Sequence, residues 1–437
     1  MAQLALPDHP SRYALVNELH ARPFPELHAP CSAAFLAIKP AENAAERDRE
    51  RDFAHLVQLL DRHGAAHPAP GTGHYSGRIG RHFLKWEMHT EFVTYTLFSD
   101  SLDERPFSGD MFRLFPEDWL REAPGTVVSS ALVRVESAEG ERLERLIERD
   151  LPRWFVPESL AISRVVDGTA VVASDFRLDE NGHLRIAVLA QPDIGPRRLG
   201  RIVQRLLEIE IYKSMAMLTL PHARRVAGAV ARLDRELSGM VASMARGEGA
   251  ESETLDQLLK MAAEIEFLSS TTAFRFGAAE AYEAIVLQRI AVLREVRIGG
   301  RQLLGEFMAR RFDPAMRTCR SAKARLDELS ARAERAANLL RTRVDVANQE
   351  ASRETLRTMD RRAALQLRLQ ETVEGLSVVA ISYYAVNLAA GLFAPVAEPA
   401  GIGKTGLVAL LTLPVVLAVW FFIRRIRQRI AGDEEHG

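Results

Sequence analysis

The sequence has almost no cysteine, no excess of either charge and no apolar leader. Its 437 residues include two cysteines, Cys31 and Cys319, far apart and in unlike surroundings. That excludes a disulfide framework or a cysteine-based zinc site, and it fits a reducing compartment. The 57 basic residues nearly match the 58 acidic ones, leaving a net charge of -1. A dedicated nucleic-acid binder is not expected, because phosphate contacts need a basic face. The start, MAQLALPDHPSRY, lacks the basic residues and apolar run of a signal peptide.

Long apolar runs lie at the other end. Leu376 to Ala397 is 22 residues without a charge, and Thr405 to Ile423 is 19. About 20 apolar residues cross a ~30 Å hydrocarbon core, so a transmembrane hairpin is expected. Arg424, Arg425, Arg427 and Arg429 follow the second span; Arg361, Arg362 and Arg368 precede the first. The loop between offers only Lys404, so both termini are expected in the cytoplasm. Trp420 and the Arg cluster would anchor the second helix at the interface.

Residues 1–191 read as a mixed α/β domain. A helix is expected over Ser11–Ala21, then the strand CSAAFLAIK, a charged helix from about 44 to 62, and the strands HFLKWEMH and EFVTYTLF. TVVSSALVRVE, EGERLERLIERDL, AISRVV, TAVVASDF and LRIAVLA follow the same plan of strand, helix and meander, which hints at duplication. From Pro196 the chain reads as helical, with a break at Pro221, a stop at ARGEGAESE and a new start at Asp313-Pro314. Beyond Pro314, Leu340, Val344, Ala347, Ala351, Leu356, Met359, Ala363, Leu367 and Val373 form a narrow apolar seam on a charged helix. Such a seam suits a coiled coil or long-helix packing. The 62 residues before Leu376 would extend about 90 Å. A helix of that length needs folding back or homo-oligomerisation. The expectation is therefore an α+β protein, with an α/β domain over 1–191, a long-helix stalk over 192–375 and a transmembrane hairpin with basic tail over 376–430.

The motifs are sparse. GIGKTG at 401–406 has Glu398 where a phosphate-binding loop needs glycine, so it reads as the connection between spans. NELHARPFPELH groups Glu18, His20, Arg22, Glu26 and His28, residue types suited to a metal or a proton shuttle. A helix end docked on the domain is the plainer reading. On RHFLKWEMHTEF, His82, Leu84, Trp86 and Met88 share one strand face, and Phe83, Lys85, Glu87 and His89 the other. Ordinary edge-strand polarity explains the second set. A ligand pocket would need Glu18, His20, Arg22, His89 and Glu91 to converge. In the first span, Asn387 beside Tyr383 and Tyr384 is either interhelical glue or the lining of a polar path.

Two resemblances bear on function. RYALVNELHARPFP (12–25), GEFMARRFDPAMRTC (305–319), NLLRTRVDVANQE (338–350) and LQLRLQETVEGLSVVAISYY (365–384) resemble a family of bacterial membrane-anchored proteins known only as a domain of unknown function. That resemblance implies an inner-membrane protein and no particular activity. The order of domain, stalk helix, hairpin and basic tail is similar to CorA-type divalent cation channels. Their Gly-Met-Asn signature, often preceded by Tyr, is matched by Tyr384 and Asn387, while Ala385 and Val386 replace Gly and Met.

The leading expectation is a multi-pass membrane protein with a non-enzymatic scaffold or sensor domain. It would act as a homo-oligomer and bind a cytosolic ligand or protein partner, with no cofactor and no nucleic acid. The alternative is a CorA-like channel, under which a divalent metal would be the cargo. An enzyme using His20 and His89 is the third reading.

Overall fold

The computed structural model describes residues 6, 8–13, 15–16, 24–41, 44–248, 251–397 and 403–433. The chain divides into two compact units, Met1–Ala337 and Asn338–Gly437. Its class is α+β, with a mixed sheet near the N-terminus and long helices after it.

Among the described residues the first unit has nine strands: β1 (Cys31–Lys39), β2 (His74–Ile79), β3 (His82–Met88), β4 (Val93–Ser99), β5 (Thr126–Ser137), β6 (Ala161–Val165), β7 (Ala170–Ser174), β8 (Leu184–Ala190) and β9 (Val296–Arg297). They form one sheet in the order β2-β3-β4-β1-β5-β8-β7-β6-β9. β1 is apolar on both faces because it lies in the middle of the sheet, antiparallel to β4 and β5. The order mirrors about the β1–β5 junction, as the repeated plan of strand, helix and meander implies. The sense does not: β4 returns antiparallel to β1, whereas β8 runs parallel to β5. The two halves therefore share strand order but not strand direction.

One sheet face carries α1 (Arg49–Arg62), α2 (Glu117–Arg121) and α3 (140–154). Asp48 caps α1 by accepting from the Glu50 and Arg51 amides. α3 begins as Gly140–Arg145, widens to a π turn over Leu146–Asp150 and ends as Leu151–Trp154. Pro152 has no N–H to continue the ordinary ladder, and the Leu151 amide reaches back to the Leu146 carbonyl. Leu56, Leu59, Leu60, Trp86, Tyr95 and Trp119 are buried together under α1 and α2. Each fully buried aliphatic side chain there contributes about 1.5–3 kcal/mol.

The other face carries α4 (Pro196–Met217), which lies across β5 and β8 and against α6 (Glu251–Leu293). α4 starts at Pro196, where the missing N–H is harmless. The chain breaks at Leu218, and α5 (Thr219–Arg246) takes Pro221 into its first turn. Gly247, at φ 69°, closes α5 in the left-handed conformation. α6 stops at Leu293, so the Val296–Arg297 segment can join the sheet beside β6. α7 (Leu304–Arg311) and α8 (Asp313–Ala397) follow. The early part of α8 buries Met316, Cys319, Ala322, Leu326, Leu329 and Ala333. Its flanks pair with the other helices of this unit through Arg320–Glu283, Lys323–Glu280 (3.0 Å) and Arg332–Asp234.

In the second unit, α8 continues to Ala397 and α9 spans Lys404–Asp433. From Val344 to Val373 the seam residues are not buried within the chain, and Leu356, Met359, Leu367 and Val373 are exposed by 58–63%. Among the described residues, two helices are long and apolar enough to cross a membrane, with mean hydropathy reaching 1.7 over an 18-residue stretch of the one that ends at Phe393 and 2.5 over such a stretch within Thr405–Arg425. Only 17% and 6% of those apolar windows are buried. A core helix of a soluble domain would be mostly covered, and these two are not.

Candidate functional site

The β3–β4 hairpin is held from both sides. Arg47, with its side chain 3% exposed, donates to the His89 and Thr90 carbonyls at 2.7 Å each and to Asp52 at 2.5 Å. Burial pushes the Asp52 carboxyl up, against the pull of Arg47. From the other side, Arg275 of α6 grips buried Glu91 through two hydrogen bonds of 2.6 and 2.9 Å. The Tyr282 hydroxyl also donates to Glu91, at 2.7 Å. Burial, then the bond to this carboxylate, raises the Tyr282 phenol.

Strand alternation sends Leu84 and Trp86 into the core under α1, and Lys85 and Glu87 to the opposite face. β3 is not an edge strand, since β2 lies outside it, and the expected edge polarity is buried instead. Across the register, Lys85 faces Thr96 and Glu87 faces Thr94. α4 covers them with Gln204 and Glu208, and α6 adds Arg289. Lys85 Nζ donates to Gln204 Oε1 at 2.9 Å and lies 3.2 Å from Glu87. Gln204 donates to Glu208 at 2.9 Å, and Arg289 pairs with the same carboxylate. These groups enclose a chamber of about 260 Å³ with two cations and two anions.

An aromatic wall is shared by this chamber and a cleft of about 920 Å³. His89 stacks on Phe92 at 4.3 Å and meets Tyr212 edge-on at 6.2 Å. Tyr212 lies against Tyr282 at 5.5 Å. The outer cleft is completed by Phe53 of α1, Ile285 of α6 and the Pro70–Gly73 loop. His89 and Tyr212 line both spaces. Such a site can stack a planar group in the cleft while hydrogen-bonding a polar end that carries no net charge.

Of the residues expected to form a pocket, His89 lines the cleft. Glu91 lies behind its wall, with both oxygens bonded. Glu18, His20 and Arg22 lie outside the described residues. Glu26 instead pairs with Arg197 at 2.8 Å. Among the described residues, no three His, Cys, Asp or Glu side chains group as a metal would require. Sequence reasoning missed Gln204, Glu208, Tyr212 and Arg289. The four-residue steps of the first three on α4 were the available signal, beside Val203, Leu207 and Ile211 on the same buried helix.

In the second unit, Ser382, Val386 and Ala390 are buried on one face of α8. Tyr383, Tyr384 and Asn387 are exposed, and Asn387 Nδ2 donates to the Tyr383 carbonyl of its own helix at 3.0 Å. Arg424 sits 5.0 Å over the Trp420 ring, a cation–π pair at the end of the second apolar helix. Arg425 is exposed, and the side chains of Arg427 and Arg429 lie outside the description.

The structure thus defines an α+β protein with an aromatic cleft beside a charge-balanced chamber and, among the described residues, two apolar helices of membrane-crossing length. The chain belongs to the family described as "Protein of unknown function (DUF3422)", whose model matches residues 7–430. No curated protein and no solved structure matches it, and the resemblance to CorA-type channels finds no support in these comparisons.

Proposed function

We propose that this protein is a membrane-anchored, non-enzymatic sensor whose sheet unit binds a small molecule with a planar ring and a neutral or zwitterionic polar end. The observation that carries this reading is the His89–Tyr212 wall, shared by an aromatic cleft and a chamber whose Lys85, Glu87, Glu208 and Arg289 charges balance. A lone anion or cation would enter with no opposite charge left unpaired to meet it, since Lys85 pairs with Glu87 and Arg289 with Glu208. The low burial of the two apolar helices supports a bilayer anchor. The Arg residues that flank them favour a multi-pass arrangement with both ends in the cytoplasm.

Calorimetric titration of the detergent-purified chain with L-tryptophan and adenosine, as a zwitterionic and a neutral planar probe, tests the site. Saturable binding of either, abolished in Tyr212→Ala, supports the reading. Absence of binding to both, or binding that Tyr212→Ala leaves unchanged, overturns it.

A further inference from the structure

We infer that a second copy of this chain packs on the face of α8 turned away from α9, with Asn387 bonding to its own counterpart. The inference rests on the reading of this segment as a membrane span. Ala380, Tyr384, Asn387 and Gly391 step along α8 at intervals of four, three and four residues, the spacing of one helix face, and all four are exposed. Ser382, Val386 and Ala390 occupy the opposite side and are buried. The outward face follows in phase from Val373 and Ser377, below the exposed seam of Leu356, Met359, Ala363 and Leu367.

Asn387 makes this face unsuited to lipid alone. One of its amide hydrogens reaches the Tyr383 carbonyl, and among the described residues no other bond of its side chain is found. Hydrocarbon offers no partner for the second N–H or the carbonyl oxygen. A like chain does, because an amide is both donor and acceptor, so two copies of Asn387 satisfy each other. Nothing within 4 Å occupies the space where a Gly391 Cβ would lie, so a partner helix can approach closely one turn beyond the amide. An unlike partner would need its own complementary amide at the same depth, whereas a second copy supplies it by symmetry.

Cysteine cross-linking of the full-length chain in membranes tests this. Ala380→Cys and Gly391→Cys are expected to give a disulfide-linked dimer on mild oxidation, and Val386→Cys, buried on the other face, is not. Asn387→Leu should weaken self-association about threefold or more, read from the dimer fraction in detergent. Equal cross-linking at all three positions, or none in a chain that stays in the membrane, overturns the inference while leaving the anchor intact. Release of the chain by alkaline carbonate would overturn the membrane reading itself.

Discussion

Arg275 and Glu91 are joined by two hydrogen bonds of 2.6 and 2.9 Å across the boundary between α6 and the β3–β4 turn, with side chains only 12% and 1% exposed. The pair does more than hold a helix to a sheet. Together with Arg47, which binds the carbonyls of the same turn, it sets the height of His89 at the cleft wall.

Arg275→Met leaves the Glu91 carboxylate buried with only the Tyr282 hydroxyl. Loss of one partner of a buried pair costs about 3–5 kcal/mol, far more than an exposed pair. A clear drop in Tm is expected. The double variant Arg275→Met, Glu91→Leu should recover part of it, because no lone charge remains. An unchanged Tm in the single variant would show that the clamp is not what holds the turn.

Gly200 on α4 is packed against the chain entering β1. An added Cβ would lie 1.7 Å from the Pro25 carbonyl oxygen, which is backbone and cannot swing aside. Alanine normally favours a helix interior by ~1 kcal/mol over glycine, but overpacking costs about 1–3 kcal/mol. Gly200→Ala is therefore expected to lower Tm and to loosen the Glu26–Arg197 region. Limited proteolysis near residues 24–28 would reveal the latter.

His55 is 3% exposed and bonded at both ring nitrogens. Its Nε2–H donates to the Trp119 carbonyl at 3.0 Å, and its Nδ1 accepts from the Tyr95 hydroxyl at 3.0 Å. Burial lowers its pKa, with Arg51 and Arg62 adding to this and the Trp119 bond and Glu122 opposing. In the unfolded chain the imidazole takes up a proton as pH falls through about 6.5, while the folded chain resists. Stability is thus fully present above about pH 6.5 and lost as pH falls toward the folded value. His82 and His183, also depressed chiefly by burial, act in the same direction. Melting curves from pH 7.5 to 5 should show a falling Tm, with a smaller slope in His55→Gln.

The orientation of the hairpin is open to thiol labelling. Native background should be low, since burial pushes the Cys31 thiol up to about 12 and raises that of Cys319. Gly403→Cys is expected to react with an impermeant maleimide from outside intact cells. Arg425→Cys should react only after the membrane is opened. The reverse pattern would place the termini outside.

Much of the architecture was legible in the residues. Pro196, Pro221, Gly247 and Pro314 punctuate the helices as backbone chemistry requires, because a missing N–H or a left-handed turn acts locally. The apolar runs at 376–397 and 405–423 are uniform enough to need no tertiary context. The plan of strand, helix and meander, used twice, also follows from local alternation and turns.

What lay beyond the sequence depends on contacts between distant segments. Local alternation places Lys85 and Glu87 on one strand face, but only the docking of α4, more than a hundred residues later, makes that face an interior. The same docking turns Gln204 and Glu208 from a polar stripe into the lining of a chamber. Strand direction likewise escaped, since identical local patterns let β4 return antiparallel to β1 and β8 parallel to β5. Element type follows from spacing along the chain, whereas burial of a charge is decided by whichever segment arrives to cover it.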